Sequence, residues 1–263
     1  MVPELNTIIR GDCLEVMRSW PAASIDMIFT DPPYGHKNND GDLIHNWEKA
    51  LGRPLDCESG PAKSRPILND GAEANDLVKA FFAEAKRLLK PGSCCCCCGG
   101  GGGGPDPQFA RWSLWLDEVL DFKQMVIWDK GPMGMGWHYR RSYETVLVAQ
   151  KPGAACRWYD ESNAIENILR AGAVPKIIPS AGQHPTEKST KLAEHFIKLH
   201  SKPGDIILDP FAGSGSTLDG ANRMGRQWVG IELDQQFHAM ATERMRRAVV
   251  LPPDVAMLEG RLF

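Results

Sequence analysis

A glycine-rich turn near the carboxyl end constrains the fold more than any other feature. Asp209-Pro210-Phe211-Ala212-Gly213-Ser214-Gly215-Ser216-Thr217 follows a short apolar run, Asp205 to Leu208. It opens a short helix, Ser216 to Met224, closed by Gly225. Trp228 to Ile231 then reads as a strand and Asp234 to Val249 as a closing helix. Strand, tight turn, helix and strand in succession make a βαβ unit, whose strands lie parallel in one sheet. Gly213 and Gly215 let the backbone approach a ligand, and the helix N-terminus favours negative charge. Glu232 ends the second strand, about twenty residues past the turn, where an acid accepts from ribose hydroxyls. No Lys-Ser/Thr pair follows the glycines, so this is not a P-loop. The segment suits an adenosyl ligand; the plain alternative is a generic glycine turn.

The rest of the chain repeats the alternation. Ile25 to Thr30 is short and apolar and stops at Asp31-Pro32-Pro33-Tyr34, a buried strand running into a sharp loop. Residues 35–71 are polar, without period, and read as a long loop or inserted recognition region. Ala72 to Leu89 is helical, with Leu77, Phe81, Ala85 and Leu88 on one face, stopped by Pro91-Gly92. Ser93 to Cys98 fits a buried strand of small residues, followed by a glycine loop from Gly99 to Gly104 or, more plainly, a low-complexity linker. Met125 to Trp128 and Tyr143 to Gln150 read as strands joined by too little chain for a helical crossover, so they should pair antiparallel. Leu192, Phe196 and Leu199 mark another helix. The expectation is an α/β chain with a mostly parallel, doubly wound sheet across residues 1–263.

Asp31-Pro32-Pro33-Tyr34 carries a second chemistry. The amine of a nucleobase is a poor nucleophile because its lone pair is delocalised into the ring. Acceptors aimed at its two N–H groups favour the pyramidal shape that attacks a methyl sulfonium. Asp31 offers a carboxylate and Pro32 a main-chain carbonyl, while Pro32 and Pro33 fix the turn and remove competing donors. Tyr34 supplies a flat face on which an extruded base can stack. Taken alone, the tetrapeptide is a strand end with a surface tyrosine.

Bulk properties set limits. The formal net charge of −3 means that nucleic-acid contact must rest on local patches. No signal-like leader or long apolar span is read, so a cytoplasmic protein that makes no membrane contact is expected. Of eight cysteines, Cys94 to Cys98 are consecutive and alternate faces, so the five cannot converge on one metal. Cys13, Cys57 and Cys156 are isolated in sequence, and all are expected as reduced thiols.

With both loops in hand, the chain resembles the beta-class amino DNA methyltransferases, which act on adenine N6 or cytosine N4. Asp31-Pro32-Pro33-Tyr34 matches their catalytic signature. Residues 209–217 match their cofactor loop, through Asp209, Phe211, Ala212, Gly213, Ser214, Gly215, Ser216 and Thr217. His184-Pro185-Thr186-Glu187-Lys188 matches the segment that helps hold the methionine carboxylate, through Thr186 and Lys188. Glu232 and Leu233 match the ribose-binding strand end, and Asp12 and Cys13 the turn against the cofactor's adenine. The order, catalytic loop first, is the circular permutation of the beta class.

The resemblance implies a Rossmann-like fold, a seven-stranded sheet with one antiparallel strand, S-adenosyl-L-methionine as cofactor, and direct methyl transfer to a flipped base in double-stranded DNA. It involves no metal and no covalent enzyme intermediate. Asp rather than Ser at position 31 goes with adenine. Cytosine N4, an RNA adenine and an inactive DNA-binding relative are the alternatives. Ser189, Ser216 and Asp219-Gly220 depart mildly from the family pattern.

The loop from Lys130 to Arg141 combines cations, aromatics and glycines, and Lys130, Trp137, His138, Arg140 and Arg141 are the candidate DNA contacts. Residues 151–183, where the family's target recognition lies, are few. That suits a short target or a homodimer, and a cognate restriction endonuclease would be the partner in a bacterial or phage-encoded system.

Overall fold

The computed structural model describes residues 3–34, 73–99, 108–131, 142–170 and 188–248. The insertion at 35–71, the tract 100–107, the tip 132–141, and 171–187 with Thr186 lie outside the described residues. So do Trp137, His138, Arg140 and Arg141.

The strands are β1 (Thr7–Arg10), β2 (Ile25–Thr30), β3 (Leu89–Gly99), β4 (Asp121–Asp129), β5 (Tyr143–Gln150), β6 (Ile168–Leu169), β7 (Ile206–Asp209) and β8 (Gln227–Glu232). The helices are α1 (Cys13–Arg18), α2 (Ala74–Leu88), α3 (Gln108–Val119), α4 (Thr190–His200), α5 (Ser216–Arg223) and α6 (Gln235–Arg247). The described strands form one sheet, in the order β1-β8-β7-β2-β3-β5-β4-β6. Only β5 runs against its neighbours, pairing antiparallel with both β3 and β4. The fold is the expected α/β doubly wound one, with one antiparallel strand.

Three details differ from the sequence reading. Ile168–Leu169 adds an eighth, two-residue strand at the edge, parallel to β4; so short a piece has no period to read. Helix α3 was not anticipated, although Trp112, Leu116 and Leu120 bury one face at four-residue spacing. Strand β3 begins at Leu89 rather than Ser93, with Pro91-Gly92 inside it. Gly92 takes φ 82°, and the register with β2 shifts between Ile25 and Met27, so the Pro-Gly pair marks a bulge as well as a helix stop.

Each face of the sheet buries its own core. Ile25, Ile28, Cys95, Cys97, Leu147 and Leu208 pack with α1, α2 and α3. Met27, Phe29, Cys94, Cys96, Cys98 and Val146 pack with α4 and α5. The five-cysteine run therefore acts as a central strand, compact thiols alternating between two cores.

Asp26 holds the amino end of β2. Its carboxylate accepts from Lys90 at 2.8 Å, Arg157 at 2.7 Å and the Ile206 amide at 3.1 Å. Burial opposes its ionisation, but these donors more than offset burial and keep the group below its ordinary range.

The βαβ unit leaves no room for a side chain at Gly230. A Cβ on Gly230 of β8 would lie 2.5 Å from Leu218 Cδ1 and 3.2 Å from Ala212 Cβ. No helix among the described residues is long and apolar enough to cross a membrane. Gly230→Ala should displace the buried Leu218 side chain of α5 and cost roughly 1–3 kcal/mol. Urea denaturation should show a lower midpoint, whereas Gly225→Ala, with open space around it, should show only the smaller cost of its φ of 71°.

Candidate active site

Strand order reverses between β7 and β2. From β2 the chain crosses through α2 on one face to β3, and from β7 through α5 on the other face to β8. A crevice opens outside the carboxyl ends of strands at such a point. Asp31 follows the last residue of β2, and Asp209 ends β7. The buried Thr30 hydroxyl donates to Asp209 Oδ1 at 2.7 Å and ties the two strand ends together.

One side of the crevice is the glycine turn. Phe211 N donates to Asp209 Oδ1 at 3.1 Å, which shapes the start of the turn. Gly213 and Gly215 take φ of 51° and 81°, the left-handed region that glycine reaches without a Cβ penalty. Gly215 is the N-cap of α5, and a Cβ there would come within 3.1 Å of Ala241 Cβ. Glu232 braces the turn from β8, accepting from Gly213 N at 2.7 Å and Asp234 N at 2.8 Å. Burial raises its pKa, and the two amides pull against that rise. Its carboxylate keeps further acceptor capacity toward the cleft. At the far end, Asp12 caps α1 through the Leu14 and Glu15 amides, and burial pushes the Cys13 thiol up to about 12, so it stays neutral.

The other side is Asp31-Pro32-Pro33-Tyr34. Tyr34 Oη donates to Asp31 Oδ1, and the Lys188 ammonium lies 2.9 Å from Asp31 Oδ2. Lys188 also reaches Glu144 Oε2 at 3.0 Å and sits 5.3 Å over the Tyr34 ring. Lys130 binds the other oxygen of Glu144. Two ammonium groups thus meet two carboxylates in a half-buried cluster of zero formal charge. Burial disfavours the Lys188 charge, but Asp31 and Glu144 outweigh it and raise the pKa. Burial raises Asp31, with Lys188 opposing. Burial also opposes Glu144, but Lys188 and Lys130 prevail and hold it at about 2. Asp209 rises to about 6, mainly through burial.

A single cleft is lined by Asp12, Cys13, Asp31, Pro32, Pro33, Tyr34 and Lys188. Asp209, Phe211, Ala212, Gly213, Ser214, Ser216, Thr217, Glu232 and Leu233 complete most of its wall. The structure thus brings together nearly all the described residues singled out from the sequence. Gly215 stands just behind, as the cap of α5. Lys130, at the mouth of the loop singled out for DNA contact, pairs with Glu144 and lies 5.6 Å over the Trp128 ring.

Sequence reading missed Glu144. It read as one residue of an apolar strand, and only the reversed direction of β5 carries it to the carboxyl ends of the parallel strands. It also missed Trp112, whose ring stands 5.9 Å from Tyr34, and Phe81, edge-on to Phe211 at 5.5 Å.

Glu144→Gln should leave Lys188 with Asp31 as its one carboxylate partner in the cluster, and cost about 3 kcal/mol at neutral pH. The carboxyl is depressed from an ordinary 4.5 to about 2. Its contribution is therefore present above pH 4.5 and lost as pH falls toward 2. Urea midpoints across that window should fall steeply for the parent protein and less steeply for the variant.

Comparison with known proteins agrees with this geometry. The family model described as DNA methylase, for N6 and N4 methyltransferases, matches residues 25–243. The type II methyltransferase M.HinfI of Haemophilus influenzae is 28% identical over 272 residues, covering 97% of this chain and 72% of its own length. The DNA adenine methyltransferase YhdJ of Escherichia coli is 26% identical, covering 92% of this chain and 83% of its own. Among solved structures, TTHA0409 of Thermus thermophilus complexed with S-adenosyl-L-methionine superposes with a TM-score of 0.65. It is 26% identical and covers 92% of this chain and 93% of its own.

Proposed function

The chain belongs to the DNA methylase family, and from that premise we propose that it methylates the N6 amine of adenine in double-stranded DNA, with S-adenosyl-L-methionine as donor. One observation carries the reading: the Asp31 carboxylate and the Gly213 turn face one cleft. The named relatives support adenine, since YhdJ is called a DNA adenine methyltransferase. Asp at position 31 supports it too.

The residues present fit the donor. The turn offers backbone at left-handed glycines, Glu232 offers acceptor capacity, and the neutral thiol of Cys13 and the Phe211 ring offer apolar walls. Asp12 and Cys13 would lie by the adenine, Glu232 and Leu233 by the ribose, and residues 209–217 along the methionine end. Thr186 belongs to the same proposal by resemblance. S-adenosyl-L-methionine supplies an electrophilic methyl group on sulfur.

The chain's own task is to shape the nucleophile. An incoming amine competes with the Tyr34 hydroxyl and the Lys188 ammonium for the Asp31 oxygens, and a carboxylate has lone pairs for about four donors. The Pro32 carbonyl takes the second N–H. Both acceptors localise the nitrogen lone pair, and the positive charge that builds on nitrogen is met by Asp31. Lys188, pinned by Glu144, fixes the carboxylate's direction. Tyr34, backed by Trp112, stacks on the flipped base.

Residues 35–71 and 151–183, with Arg140 and Arg141, would read the DNA around the flipped base. M.HinfI and M2.DpnII are named type II methyltransferases, and a cognate restriction endonuclease is part of this proposal. DNA methylated by this protein should then resist that nuclease.

Asp31→Ala should lower turnover by on the order of 10²–10⁴-fold, while calorimetry finds donor binding unchanged. A normal rate in that variant would remove Asp31 from the mechanism. Incubation with unmethylated DNA and donor, followed by base mapping, should reveal N6-methyladenine at one short sequence. N4-methylcytosine, or methylation confined to structured RNA, would overturn the adenine reading.

A further inference from the structure

A second cluster of reactive side chains lies away from the cleft. Cys94 of β3, Cys156 of the segment after β5, and His200 at the end of α4 bring their ligand atoms within 4.8 Å of one another. The three come from elements far apart in sequence, so no local spacing announces them. Cys156, which reads as isolated in the sequence, has partners in the fold.

We propose that Cys94, Cys156 and His200 form a binding site for one borderline-soft divalent cation, zinc being the best match, that clips the segment after β5 to the sheet and to α4. The sulfur spacing is the first reason. Two thiolates about 2.3 Å from a tetrahedral zinc lie about 3.8 Å apart. Cys94 Sγ and Cys156 Sγ are 3.7 Å apart. A disulfide would need about 2.05 Å. The donor set is the second reason, since two thiolates and an imidazole suit zinc better than magnesium or calcium.

Rigidity is the third reason. His200 is buried, its Nδ1 lies 3.2 Å from the Arg157 carbonyl, and the Trp158 ring meets it edge-on at 5.2 Å. The residues that follow Cys156 are held to the sheet and to α4. Arg157 N donates to Gly92 O at 3.0 Å and Tyr159 N to Leu199 O at 2.8 Å. The Arg157 guanidinium is anchored on Asp26 at 2.7 Å. Metal binding therefore needs little further ordering.

The cation displaces the thiol protons to solvent, and both sulfurs bind as thiolates. The three protein ligands leave a fourth position for water beside exposed Cys156.

Cobalt(II) is the probe. The full chain, kept under a non-chelating reductant, should take up one equivalent with thiolate-to-cobalt charge-transfer absorption. Zinc should abolish that band by displacement and raise the Tm. Cys156→Ser, at an exposed position, should lose both the band and the zinc-dependent rise. Cys95→Ala, on the same strand but facing the other core, should keep them. Absence of the band in the parent protein, or its persistence in both Cys156→Ser and His200→Ala, would overturn the site. So would a Cys94–Cys156 disulfide found by mass spectrometry in the reduced protein.

Discussion

The bond between Thr30 and Asp209 is the constraint on which the site depends. Its partners are 179 residues apart in the chain and 2.7 Å apart in the fold. It joins the strand that delivers the amine acceptor to the strand that delivers the donor loop, at the point where the sheet reverses its order. Asp209 pays for its position with a pKa near 6, and three donors hold it: Thr30, Thr217 and the Phe211 amide. A small displacement here would separate the two loops, and methyl transfer requires them to share one cleft.

Around that junction the protein gathers half-buried charge in a balanced group. Lys188 meets Asp31 and Glu144, and Lys130 completes the set. A buried charge pair adds little net stability compared with apolar packing, yet breaking one is costly. The arrangement is better understood as positioning. It fixes the direction of one carboxylate that must point at a small amine, and Tyr34 holds the other oxygen of that carboxylate. This explains why an acid on the antiparallel strand belongs to a site otherwise built from parallel strand ends.

The cysteine run shows how composition and fold relate. Five consecutive thiols suggest a metal or disulfide cluster, but β-strand alternation sends them to two cores. Four behave as small apolar side chains. Cys94 is the one whose thiol meets a cysteine outside the run, Cys156, because the segment after β5 is pressed against the bulge at Gly92, where a Cβ would meet the Ala155 carbonyl at 2.3 Å.

The two loops were legible in the chain alone because each is local. A strand end, a proline turn, left-handed glycines and an acid at the next strand end are set by neighbours a few residues away. Apolar period was enough for β2, β5 and most of α2. Strand β6, the roles of Glu144 and Trp112, and the Cys94–Cys156–His200 cluster were decided by tertiary structure. Each depends on which strands are adjacent and which way they run, and that order is set by burial of two faces at once. A single sequence records the pattern of burial, but the partner across the sheet appears only when the chain has closed on itself.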